Sequence, residues 1–121
     1  MATILVVDDH PTTRFLLRSV LQTEGHTVLE APDGRAALAE LLHRPDTALL
    51  VTDLEMPGMG GLELLRALAA RPELPKLVVS SCTAPPPLDG LGVAEFFCKP
   101  PDLARLKATV AQLVGSPVVS V

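Results

Sequence analysis

Ile4 to Val7, Leu49 to Thr52 and Leu77 to Val79 are uninterrupted runs of apolar and β-branched residues. Apolar positions that are consecutive rather than alternating predict strands covered on both faces, as in a parallel sheet. Thr27 to Ala31 and Glu95 to Cys98, each bounded by a Gly, a Pro or a charged residue, read as two further strands. Between these runs apolar positions recur at three and four. Leu17, Val20 and Leu21 mark a helix over 11–24, with Pro11 near its start and Gly25 after its end. Leu38, Leu41 and Leu42 mark a second helix, Leu62, Leu65, Leu68 and Ala69 a third, and Leu103, Leu106, Val110, Leu113 and Val114 a last one. Strand and helix alternate with short connections, which predicts an α/β fold: a doubly wound five-stranded parallel sheet with helices on both faces.

One stretch interrupts the alternation. Where a helix is expected between the fourth and fifth strands, Pro85, Pro86 and Pro87 stand together within the segment Thr83 to Gly90. Three prolines remove three amide donors and disfavour the α region before each, so a loop with at most one helical turn is expected. Such a loop leaves one side of the fifth strand less covered. The domain is read as 1–114, with a loosely held tail over 115–121.

Composition narrows the class. With 48% hydrophobic and 20% charged residues the chain has the balance of a globular domain, and 2% aromatic residues leave its core to aliphatic side chains. The net charge of −4 with scattered basic residues argues against a nucleic-acid surface. Cys82 and Cys98 have neither CxxC spacing nor a neighbouring His, so neither a zinc site nor a disulfide framework is indicated, and a reducing cytoplasm suits the chain. No run approaches the roughly 20 apolar residues of a membrane span, and no secretory leader is read at Met1 to Val7. His10, His26 and His43 repeat no metal spacing and read as surface or cap residues.

The candidate chemistry lies at strand ends. In an open doubly wound sheet the ligand crevice lies beyond the carboxyl ends of the strands. Asp8 and Asp9 end the first strand, Asp53 the third, Ser80 the fourth and Lys99 the fifth, with Pro100 following in a setting that suits a cis peptide. Singly, each Asp reads as a cap or turn former, Lys99 as a solvated charge and Ser80 as a strand-end hydroxyl. Together, mutually repelling carboxylates call for a hard divalent cation, for which Mg²⁺ is suited, and a cation with a hydroxyl beside them matches the needs of a transferred phosphoryl group.

These segments resemble the receiver domains of response regulators in two-component signalling. Ile4-Leu5-Val6-Val7-Asp8-Asp9-His10 is similar to the family's opening strand, Asp53-Leu54-Glu55-Met56-Pro57-Gly58-Met59 to its phosphorylation loop and Lys99-Pro100 to its closing motif. The resemblance implies the flavodoxin-like strand order 2-1-3-4-5. It implies Asp53 as phosphoacceptor, Asp9 and Asp53 as direct Mg²⁺ ligands, Asp8 as a ligand through water, and the Glu55 backbone carbonyl as another. Lys99 and Ser80 would contact phosphoryl oxygens, and Phe96 would follow the movement of Ser80 as a switch aromatic. An ordinary buried strand residue is an equal reading of Phe96. Glu55 and Cys82 occupy positions that border the phosphoryl group in the family. Gly60-Gly61 stands where the family usually has an acidic residue before a glycine, and the span from Ser80 to Lys99 is shorter than is common.

The implied function is a Mg²⁺-dependent phosphorylation switch, not an enzyme beyond its own phosphotransfer and dephosphorylation. Its partners would be a histidine kinase or phosphotransfer protein and a downstream output protein or domain, without direct nucleic-acid or membrane contact, and the chain would be a monomer or weak dimer. The alternative is a pseudo-receiver, a phosphorylation-independent protein-binding module. A flavin or small-molecule enzyme on the same fold lacks its phosphate loop, since Asp8-Asp9-His10-Pro11 follows the first strand. The sequence leaves open a stand-alone receiver or part of a larger regulator or hybrid kinase.

Overall fold

The computed structural model describes residues 2–81 and 86–114. Among them the elements run β1 (Thr3–Val7), α1 (Pro11–Thr23), β2 (Thr27–Ala31), α2 (Gly34–His43), β3 (Leu49–Thr52), α3 (Gly61–Ala67), β4 (Lys76–Ser80), β5 (Val93–Cys98) and α4 (Leu103–Val114). All strand pairs are parallel and the sheet order is β2-β1-β3-β4-β5. That is the expected fold and strand order.

Side chains alternate across a strand, so an unbroken apolar run supplies both faces. Ile4, Val6, Leu49, Val51, Leu77 and Val79 meet Leu17 and Leu21 of α1 and Leu106 and Val110 of α4 on one face. Leu5, Val7, Leu50 and Val78 meet Ala37 and Leu41 of α2 and Leu64 and Leu65 of α3 on the other. Burying each such leucine or valine contributes about 1.5–3 kcal/mol, enough for an almost purely aliphatic core to hold the sheet between its helices. Local signals set the helix ends. Pro11 is at the first position of α1, and Gly25 beyond its end takes φ +91°. The Asp33 carboxylate accepts a hydrogen bond from the Ala36 amide at the start of α2. Gly60 precedes α3 without a capping side chain, and the Glu63 carboxylate accepts from the Gly60 amide at 3.4 Å.

Between β4 and β5, Pro86 to Leu88 form no regular element and Asp89 to Gly92 form turns, with Gly90 and Gly92 at positive φ. No helix occurs in the described part of this connection. The expected loop residues Thr83, Ala84 and Pro85 lie outside the described residues, as does Cys82, and so does the tail over 115–121. Leu88 and Leu91 pack partly against the α2–α3 side of the core and refill some of the surface a helix would cover. In β5 only Phe97 is buried.

Three sequence expectations are corrected. The fourth strand begins at Lys76 rather than Leu77, and Lys76 is buried, because its Nζ donates to the carbonyl oxygens of Arg71 and Leu74 at 2.9 and 2.8 Å. His26, read as a surface or cap residue, is buried with its Nδ1 accepting from the Ala2 amide at 3.2 Å. His10 holds the residue position before α1, and His43 lies in the last turn of α2. The fifth strand also starts earlier than expected, at Val93.

Candidate functional site

Parallel strands end at one edge, and backbone bonds carry the ladder slightly past each end. The Asp8 amide donates to Ala31 O at 3.1 Å, the Asp53 amide to Val7 O at 2.9 Å, and the Lys99 amide to Ser80 O at 2.9 Å. Because β1, β3, β4 and β5 are so joined, Asp8, Asp9, Asp53, Ser80 and Lys99 stand together at the carboxyl edge of the sheet. Asp8, Asp53 and Ser80 are 1%, 3% and 0% exposed, which makes their polar groups costly unless paired.

Lys99 supplies the pairing. Its Nζ donates to Asp53 Oδ2 at 2.8 Å and lies 2.8 Å from Asp8 Oδ2 in an ion pair. Burial lowers the lysine's proton affinity, but the hydrogen bonds and charges of Asp53 and Asp8 outweigh it and hold its pKa above the ordinary lysine value. Lys99 is joined to Pro100 by a cis peptide bond. The other oxygen of Asp53, Oδ1, accepts from the Glu55 amide at 3.2 Å, while the Glu55 carboxylate accepts from Ser81 Oγ at 3.4 Å. Ser80 Oγ is buried without a hydrogen-bond partner. Phe96 pairs with Val78 across the β4–β5 ladder, so the alternation along β4 places Ser80 and Phe96 on the same face of the sheet. Phe96 is half-buried against the α2–α3 side of the core.

Two residues beyond the expected set touch this centre. His10 Nδ1 lies 3.3 Å from Asp8 Oδ1 and 3.2 Å from Asp9 Oδ1, and its amide donates to Asp8 Oδ1 at 2.9 Å. Its place directly after the acidic pair was the available signal. Arg14 donates to the Asp8 carbonyl oxygen at 2.7 Å and to Glu30 Oε1 at 3.0 Å, with Arg18 completing the pair on Glu30 Oε2 at 2.7 Å. Burial works against ionising Glu30, yet hydrogen bonds from Arg18 and Arg14 outweigh it and hold its carboxyl below the ordinary glutamate range. The network fixes the turn that carries Asp8 and Asp9. One turn into α1, Arg14 faces the acidic pair's backbone, a relation visible only once the helix is placed.

The donor set suits a divalent cation. Asp8, Asp9, His10 and Asp53 each offer a ligand atom within 4.8 Å of the others. Asp9 Oδ1 is buried with no hydrogen-bond donor, and Lys99 pairs with Asp8 and Asp53. Oxygen donors of this kind match Mg²⁺, which needs only one or two protein carboxylates.

A parallel 2-1-3-4-5 sheet with a buried carboxylate–lysine centre at its carboxyl edge defines a flavodoxin-like α/β domain. Sequence comparison gives the family: the model of the response regulator receiver domain matches residues 4–111. The chain is 38% identical over 117 residues to the chemotaxis protein CheY of Pseudomonas aeruginosa, covering 91% of this chain and 94% of that one. It is 31% identical over 121 residues to the sensory/regulatory protein RpfC of Xanthomonas campestris, covering 93% of this chain but 16% of that protein. Among solved structures it is similar to the Thermotoga maritima response regulator TrrA in complex with Mg²⁺-BeF, with a TM-score of 0.84, 30% identity, and coverage of 93% of this chain and 99% of that one. The chain belongs to the response regulator receiver domains of two-component systems and is CheY-like. Among the described residues no helix is long and apolar enough to cross a membrane.

Proposed function

We propose that this receiver is a Mg²⁺-dependent phosphorylation switch with Asp53 as the phosphoacceptor. The observation that carries the reading is Lys99 Nζ held 2.8 Å from both Asp53 Oδ2 and Asp8 Oδ2 in a buried pocket. A carboxylate already paired with a fixed cation is positioned where phosphoryl charge would need compensation.

In the proposed reaction an Asp53 carboxylate oxygen attacks the phosphorus of a donor. A P–O bond to Asp53 forms as the P–N bond to the donor's histidine breaks, and the released nitrogen takes up a proton. Lys99 then pairs with a phosphoryl oxygen, and the unpartnered Ser80 hydroxyl donates to another, with Phe96 filling the space that movement of Ser80 opens. Asp9 and Asp53 would hold Mg²⁺ directly, Asp8 through water and Glu55 through its backbone carbonyl. Bound Mg²⁺ supplies charge neutralisation for the transferring group. The added charge of about −1.5 to −2 biases a surface read by a downstream protein or domain. The donor is a histidine kinase or phosphotransfer protein, cytoplasmic like the chain, and the receiver turns over no other substrate.

Intact mass after incubation with a small acyl phosphate and Mg²⁺ tests this. One added phosphoryl group on the parent chain and none on Asp53→Asn is expected. Equal labelling of both refutes Asp53 as acceptor, and no labelling of either returns the chain to the binding-module alternative.

A further inference from the structure

We propose that His10 is an additional metal ligand at this centre, one that raises its affinity for divalent transition metals over Mg²⁺. The inference rests on the metal-binding reading above. His10 Nδ1 faces Asp8 Oδ1 at 3.3 Å and Asp9 Oδ1 at 3.2 Å. Two donors held by one ion at about 2.0–2.1 Å stand about 3.0 Å apart at adjacent octahedral positions and about 3.3 Å apart at tetrahedral ones. The imidazole nitrogen and Asp9 Oδ1 are therefore spaced as direct ligands of a single ion, with Asp8 beside them and a ligand atom of Asp53 within 4.8 Å.

Local structure aims the ring at the acidic pair. His10 is the residue before α1, with extended backbone at φ −89° and ψ 111°, yet its side chain makes no capping hydrogen bond. Its amide bonds Asp8 Oδ1 at 2.9 Å, which fixes the turn so that the ring lies against the acidic pair. Asp9 Oδ1, buried and without a hydrogen-bond donor, faces the ring nitrogen. The Nδ1 of a neutral imidazole can either carry a proton and donate to one carboxylate oxygen or present its lone pair to a metal. A cation between nitrogen and oxygens satisfies all of them at once.

Mg²⁺ favours oxygen and gains little from imidazole, whereas later divalent ions gain more from nitrogen. The test uses the whole chain with Mg²⁺ alone and Mn²⁺ alone. In the parent, pulsed EPR of bound Mn²⁺ should show coupling to a directly bound ¹⁴N nucleus. His10→Ala should abolish that coupling and weaken Mn²⁺ binding more than Mg²⁺ binding, which should change by less than about twofold. Asp9→Ala should weaken both ions. Absent nitrogen coupling in the parent, or unchanged Mn²⁺ affinity in His10→Ala, with Asp9-dependent Mg²⁺ binding intact, would overturn the proposal and leave His10 as an ion-pair partner. If Asp9→Ala changes neither ion, the metal reading of the centre itself fails, and the His10 role with it.

Discussion

Gly61→Ala is expected to be the most damaging single methyl addition near the site. A Cβ at Gly61 would lie 2.8 Å from both Asp53 C and Leu54 Cα and closer still to the Asp53 carbonyl oxygen. All three are backbone atoms, so no side-chain rotation relieves the clash. The surrounding backbone is also tied: the Asp53 amide bonds Val7 O at 2.9 Å and the Gly61 amide bonds Leu54 O at 3.0 Å. Overpacking costs about 1–3 kcal/mol where flexible side chains can yield, and Ala returns at most about 1 kcal/mol of helix propensity. With backbone atoms as its three nearest neighbours the loss should reach about 3 kcal/mol, or roughly 10 °C in Tm for a domain of this size. The chain has no Trp or Tyr, so urea and thermal unfolding are followed by far-UV circular dichroism. Gly25→Ala serves as the control: at φ +91° with nothing within 4 Å it tests backbone strain alone, about 1–2 kcal/mol. A Gly61→Ala loss under about 0.5 kcal/mol, the size of an ordinary surface change, would show that the turn after Asp53 is far softer than its contacts imply.

Two buried basic groups give stability a pH dependence of definite sign. Burial holds Lys76 below the ordinary lysine pKa, so between that depressed value and about 10.4 the unfolded chain keeps a proton the folded chain has lost, and stability rises with pH. Lys76→Met should remove that rise, and a parent-minus-variant difference in urea stability that stays flat from neutral pH to pH 10 would contradict it. Burial likewise lowers the pKa of His26, so stability should fall as pH drops below about 6.5 and the unfolded chain takes up a proton first. His26→Asn keeps an acceptor for the Ala2 amide, and its unfolding midpoint should be less sensitive to acid between pH 7 and 5 than the parent's; equal sensitivity would exclude His26 as the source.

How much of this was legible depended on how far apart the cooperating residues lie in sequence. The runs Ile4–Val7 and Leu49–Thr52 announced central strands because burial on both faces leaves no polar position to interrupt them. Once those strands and their order were in hand, Asp8, Asp9, Asp53 and Lys99 had to meet, since the carboxyl ends of parallel strands share an edge. The absence of helix over the described residues 86–92 was readable because prolines act on their own backbone. Lys76 was not readable: beside Pro75 a lysine marks a strand boundary, and only the carbonyls of Arg71 and Leu74, turned inward by the preceding loop, make its burial tolerable. His26 failed for the same reason, its partner being the amide of Ala2 on a neighbouring strand's approach. His10 shows no repeated histidine spacing because its partners, Asp8 and Asp9, are carboxylates. Lys76 and His26 are polar side chains whose partners are backbone groups turned toward them only by folding, and a pattern of residue types does not record where a carbonyl or an amide points.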